Sequence, residues 1–247
     1  MNLVILMGNN IINNRSGINS TITPNSIVCD SSSLISITDA GLFGALVIVS
    51  RNLQGNLIIS EGVQRESIDR PINNPQYAFS AVRLKRALLD GIFQLAKPDP
   101  NTTQKILDLT NKMFYVGGMG GRALNLVHMG EAELLALAID NDLSTIMIDE
   151  RTTRMFIEDP MGMKNHMEKE FNSKITVNQK AFQEFQMMTR DIHAIRSTEV
   201  VALAYDMDYF SKFRELKEKA FESALYSLKF NGCAISFDEI KELVREA

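Results

Sequence analysis

The chain has 247 residues, 45% of them hydrophobic and 23% charged, with a net charge of −4. That length suits one large domain or two small ones with a core needing no disulfide or structural metal, and the mild acidity excludes a molecule that binds nucleic acid as a polycation, leaving only a local basic patch. No apolar window of about 18 residues exists to span a membrane, and Cys29 and Cys233 sit in no CxxC or Cys/His cluster, which argues against structural zinc and fits a reducing cytoplasm.

Residues 1–26 hold seven asparagines and no acid. This is turn and coil composition, so a flexible arm is expected, with a short strand at 3–7. The run "LVILM" there is too short for a signal-peptide core and has no basic segment before it. "SIVC" (26–29) reads as a strand, with Cys29 a buried core thiol. Residues 31–50 are mostly apolar and read as helix on length. "NLIIS" (56–60) is the second strand, 75–96 and 101–112 are helical, and "MFYV" (113–116) is the third strand. "GEAELLALAIDND" is an amphipathic helix with Leu134, Leu135, Ala138 and Ile139 on one face. "STIMID" (144–149) and "IHAI" (192–195) are the fourth and fifth strands. The Met-rich, charged segment 157–190 reads as a helical insertion. Two helices close the chain, at about 211–229 and 237–245, the last begun by the Ser236/Glu239 capping box. Continuous apolar strands separated by helices predict an α/β fold with a parallel sheet covered on both faces. The organisation expected is one domain over 27–247 behind the arm.

Four acids stand at element boundaries. Asp30 follows the first strand, and Glu66 follows the second by a few residues. Glu131 opens a helix, and Asp149 ends the strand that this helix feeds. In a parallel αβ layer all four fall at the carboxyl edge, where open sheets bind ligands. Clustered carboxylates repel one another unless a dication sits among them, and hard oxygen ligands with room for water suit Mg²⁺ or Mn²⁺. The matching chemistry is phosphoryl transfer to a metal-activated water. The plainer alternative for each acid alone is a helix cap or a favourable charge at a helix start.

The pieces "VCDSSSLI" (28–35), "IISEGVQRES" (58–67), "GEAELLALA" (130–138) and "IMIDERTTR" (146–154) resemble, in order and spacing, the PIN-domain family of metal-dependent ribonucleases. The later stretches 192–205 and 224–243 resemble that family's fifth strand and closing helices. The likeness covers about 27–156 and 191–247, leaving out the arm and the insertion. Two departures stand out: Glu150 replaces the second Asp of a "DD-x-x-x-R" pattern ending at Arg154, and Ser197-Thr198 replaces Gly-Thr. The resemblance implies a three-layer αβα fold with a central parallel sheet of about five strands. It further implies an RNA substrate and one or two Mg²⁺ or Mn²⁺ ions on Asp30, Glu66, Glu131 and Asp149. Small members of the family are toxins with antitoxin partners and others process RNA; the length here favours processing. A homodimer is a further expectation, with 157–190 either its interface or a cover for the domain's own core.

Around the acids, Ser32, Arg65, Arg151 and Arg154 are candidate substrate contacts, with Arg70 nearby. Ser32 reads equally as a helix cap and Arg154 as a structural ion pair. Glu150 is either an outer ligand or merely exposed. Arg83, Lys85 and Arg86 form either a phosphate-binding face or a solvated one. Tyr77 and Phe79 are read as core rather than base-stacking residues. The glycine-rich "VGGMGGR" (116–122) lacks the P-loop pattern and matches G-x-G-x-x-A loosely, so a loop leading to the Glu131 helix is preferred to a nucleotide site. The competing functional reading is a non-catalytic RNA-binding or assembly module on the same fold.

Overall fold

The computed structural model describes residues 22–118 and 120–247. Most of the arm, including the strand expected at 3–7, lies outside the described residues.

Five strands form a parallel sheet: β1 (Ile27–Cys29), β2 (Leu57–Ile59), β3 (Phe93–Leu95), β6 (Thr145–Met147) and β8 (His193–Ile195). Their order is β3-β2-β1-β6-β8. The chain therefore builds outward from β1 in one direction, then returns and builds in the other. The reversal falls between β1 and β6, which pair in parallel with Ile27 opposite Thr145 and Cys29 opposite Met147. At such a switch point the connections leave on opposite faces, and a crevice opens beyond the carboxyl ends.

Alternate residues of each strand enter different cores. Ile27, Cys29, Leu57, Ile59 and Met147 face a core closed by α1 (Ser31–Asp39), α2 (Phe43–Leu53), α4 (Ala78–Leu89), α10 (Ser197–Asp206), α11 (Lys217–Phe230) and α12 (Phe237–Glu246). Val28, Ile58, Ile146 and Ile148 face a second core, closed by α5 (Pro100–Thr110), α6 (Met129–Asp140), α7 (Arg151–Glu158), α8 (Pro160–Glu170) and α9 (Gln179–Thr189). The result is an α/β/α arrangement, as expected. The central strands β1, β2 and β6 are buried along their whole length, which suits their largely apolar sequence.

Several elements differ from the sequence expectation. The helix expected over 31–50 is two helices, because Gly41 takes a left-handed φ of 74° and ends the first. Such a residue closes a helix because only glycine adopts that conformation freely. The helical stretch expected over 75–96 ends in β3, an outer strand of the sheet. "MFYV" supplies β4 (Phe114–Val116), which belongs to a separate antiparallel sheet with β5 (Arg122–Ala123) and β7 (Ile175–Val177). β4 and β5 pair as the arms of a hairpin, and after β4 come Gly117 at φ 80° and Gly118 at φ 95°. The glycine-rich run leads into a strand, so it is not the strand-to-helix loop that binds phosphate.

The segment 157–190 is helical only in part, since it contains β7 between two helices. It is built into the domain: Met163, Met167 and Phe185 are buried in the second core. Tyr77 and Phe79, read as core, are instead 45% and 75% exposed. The Ser236/Glu239 capping box forms, with Ser236 N–H donating to Glu239 at 2.8 Å and Glu239 N–H to Ser236 Oγ at 3.1 Å. Among the described residues, no helix is long and apolar enough to cross a membrane.

Candidate active site

Asp30 and Asp149 terminate the two strands at the switch point. Asp30 N–H donates to the Met147 carbonyl at 2.9 Å, the last rung before the strands part. With φ −84° and ψ 155° Asp30 then caps α1, accepting from Ser32 N–H at 2.9 Å and, in a short contact, from Ser32 Oγ. Ser32 is thereby a capping partner of Asp30. Asp30 is only 8% exposed. Burial pushes its pKa above the ordinary 3.8; the Ser32 and Ser31 hydrogen bonds oppose this, and the nearby Glu131 charge raises it further. Asp30 and Glu131 are thus a like-charge pair in a poorly hydrated place, an arrangement that raises one member's pKa.

Glu131 lies in the first turn of α6 and accepts from His128 N–H at 3.0 Å. This is the helix-start role that its position permits, and one oxygen remains for other partners. Glu66 sits in a π-helical turn, Arg65–Asp69, that continues α3 (Glu61–Gln64). Such turns insert an extra residue and are frequent at functional sites. The Glu66 carboxylate accepts from Ser31 Oγ at 2.9 Å, next in sequence to Asp30.

Asp149 is 1% exposed and held from one side. Ser197 N–H donates to one carboxylate oxygen at 2.7 Å and Ser197 Oγ to the other at 2.8 Å. Ser197 is fixed in turn by Arg196, whose guanidinium binds Glu199, Glu239 at 2.8 Å and the Ala234 carbonyl at 3.1 Å. Burial disfavours the Arg196 charge, but these ion pairs outweigh it and raise its pKa. Burial likewise works against the Glu239 carboxylate, yet the bonds from Ser236 and Arg196 bring its pKa down to about 2. Cys233, against Asp149, is pushed up to about 12 by burial and by the Asp149 charge.

Ser197 was assigned no role from sequence. The available signal was a hydroxyl pair, Ser197-Thr198, directly after a strand that ends at the carboxyl edge. Replacing it should expose its importance, because a buried carboxylate left short of a donor is costly. Ser197→Ala is expected to lower stability by about 1.5–3 kcal/mol, the range for a hydrogen bond to a charged group. Ser197→Thr should recover much of that. Urea unfolding of the three proteins measures it, and an alanine variant as stable as wild type would remove Ser197 from this role.

The basic candidates divide. Arg65, Arg70 and Arg151 are exposed. Arg154 is an ion-pair residue: its Nε lies 3.4 Å from Glu158, and its Nη1 is buried without a hydrogen-bond partner among the described residues. It lines a cleft of about 800 Å³ beside β8, with Glu158, Arg196 and Glu199. Glu150 caps α7, accepting from Thr152 N–H at 2.6 Å and Thr153 N–H at 2.8 Å, which resolves the choice between outer ligand and merely exposed residue in favour of neither. Arg83 donates to the Thr38 carbonyl at 2.8 Å, Arg86 pairs with Asp90 and Lys85 with Asp69, so this face is committed to the protein's own surface.

Among the described residues, no group of three or more His, Cys, Asp or Glu side chains is arranged to hold a metal ion. Asp30, Glu66, Glu131 and Asp149 gather at one edge, but they do not form a joint four-ligand shell. Of these, Glu131 is the acid whose charge acts on Asp30. Two carboxylates suit a cation of the magnesium kind, which keeps several waters and completes its shell on substrate phosphate rather than in an all-protein cage.

Compared with known protein families and with curated proteins, the chain matches no family model and no curated relative.

Proposed function

We propose that this chain is a Mg²⁺- or Mn²⁺-dependent ribonuclease of the PIN-like kind, acting on RNA in the cytoplasm. The observation that carries the reading is Asp30 itself: a carboxylate buried at the switch point of a parallel sheet, its pKa raised by that burial and further by the charge of Glu131. A bound dication would supply a compensating positive charge, neutralise the scissile phosphate and acidify a water for attack on phosphorus.

Asp30 and Glu131 are the residues that would hold it. Asp149 fixes the neighbouring strand end through Ser197, and Glu66 fixes Ser31. Arg65, exposed beside Glu66, is placed to attract backbone phosphate. Hydrolysis by water makes no demand on the 2′-hydroxyl of the RNA.

The second reading, a non-catalytic RNA-binding module, draws on one fact: no three-carboxylate group is formed among the described residues. Calorimetric titration with Mn²⁺ and incubation with single-stranded RNA separate the two. The nuclease reading expects saturable Mn²⁺ binding and RNA cleavage that EDTA stops. RNA binding without either would establish the module instead.

A further inference from the structure

A second cleft borders the acid edge, at the carboxyl ends of β2 and β3. It has a volume of about 260 Å³ and is lined in part by Arg65, Lys97, Pro98, Pro100, Met129 and Glu133. Arg65 precedes Glu66, and Met129 and Glu133 come from the same first turns of α6 as Glu131, so this cleft adjoins the acid edge.

Its chemistry is mixed in a specific way. Pro98, Pro100 and Met129 are apolar, and Met129 is 54% exposed. Arg65 and Lys97 are exposed, and among the described residues neither forms an ion pair. Glu133 is half-buried and also lacks a cationic partner among the described residues. Its Oε2 accepts from Ser60 Oγ at 2.9 Å, and its Oε1 has no partner there. Ser60 is itself pinned, because its Oγ caps α3 by accepting from Val63 N–H at 3.1 Å. Gly62 makes room for the carboxylate: a Cβ there would lie 2.5 Å from Glu133 Oε2.

We propose that this cleft is a base subsite for single-stranded RNA and that Glu133 selects a base carrying an exocyclic amino group. The proposal rests on the ribonuclease reading of the adjoining acids. The apolar walls of Pro98, Pro100 and Met129 offer a base a surface on which to pack. Arg65 and Lys97 at the rim attract the phosphates on either side of it, and Glu61 also lines the cleft. The open Glu133 oxygen accepts from an amino group, as carboxylates do from cytosine N4. Uracil instead presents one N–H between two carbonyl oxygens, which a carboxylate repels. The volume lies below the roughly 300–1,000 Å³ of sites for drug-sized ligands, as expected for one base.

The test is fluorescence anisotropy with short oligo(C) and oligo(U) in EDTA, which differ at the amino group. Wild type should bind oligo(C) about fivefold tighter or more. Glu133→Gln, and Gly62→Ala by displacing the carboxylate, should shrink that ratio. Lys97→Ala should weaken both oligomers alike and lower the salt slope by about one. Equal binding of the two oligomers by wild type, or a ratio unchanged in Glu133→Gln, overturns the subsite. Parallel incubations with Mn²⁺ separate the two ideas. Cleavage without base preference leaves the nuclease and removes the subsite. Preference without cleavage leaves the subsite and removes the nuclease. Neither binding nor cleavage removes both.

Discussion

Asp30→Asn is expected to make the protein more stable at neutral pH while lowering Mn²⁺-dependent RNA cleavage by about a thousandfold, the scale of losing a group that acts on transition-state charge. The two effects share one cause. Asparagine caps a helix as well as aspartate, so the bond from Ser32 N–H to the capping side chain survives the change. What disappears is a charge that burial and Glu131 both disfavour. The gain should be about 0.5–2 kcal/mol, as when a site residue is relieved of functional strain. Its pH dependence follows from the raised pKa. Wild type holds its full stability below the unfolded value near 3.8 and loses it as pH rises through the higher folded value. The gap between variant and wild type should therefore be absent in acid and widen toward neutrality. Mn²⁺ should narrow it, because only wild type gains from binding. Thermal melts across pH, with and without Mn²⁺, read all of this. A variant less stable than wild type at neutral pH would mean that the Asp30 charge is already compensated, and the metal argument would fall with it.

The second large effect concerns the segment 157–190. Phe185 is fully buried, its ring 5.9 Å from that of Phe156, which lies 5.7 Å from Phe114. The three rings come from β4, α7 and α9 and lock the small antiparallel sheet to the second core. Phe185→Ala is expected to cost about 3–5 kcal/mol, the sum of lost apolar transfer and the cavity left behind. Urea unfolding at fixed protein concentration is the measurement. A loss under about 1 kcal/mol would mean that the segment stands apart from the core, and its role as an interface between copies would return. The β7 strand argues the same way as the rings, since Phe114 to Val116 pair with Val177 to Ile175 along its length.

Much of the architecture was legible from residue pattern. "SIVC", "NLIIS" and "STIMID" are strands because apolar runs of that length have no better use than a sheet covered twice, and "IHAI" joins them at the sheet's edge. The α6 stripe and the Ser236 capping box are local chemistry, readable wherever they occur. β3 and β7 were not legible. Each has three residues with only one fully buried, too short and too mixed for a period to declare itself. The split at Gly41 was missed because the apolar run continues across it, although glycine is the residue that permits the break.

At the site, sequence by itself determined which carboxylates stand at element ends, and hence that Asp30, Glu66, Glu131 and Asp149 share one edge. Only the tertiary structure decided what each of them faces. Asp149 is claimed by Ser197, 48 residues away in sequence, and Glu66 by Ser31, 35 residues away. Glu150 spends its carboxylate on the helix that follows it, and Asp30 caps its own helix while the charge of Glu131 acts on it. Hydrogen bonds between side chains distant in sequence depend on strand order and on where each helix lands. The β1–β6 adjacency that creates this crevice arises from pairing across more than a hundred residues, which no local pattern encodes.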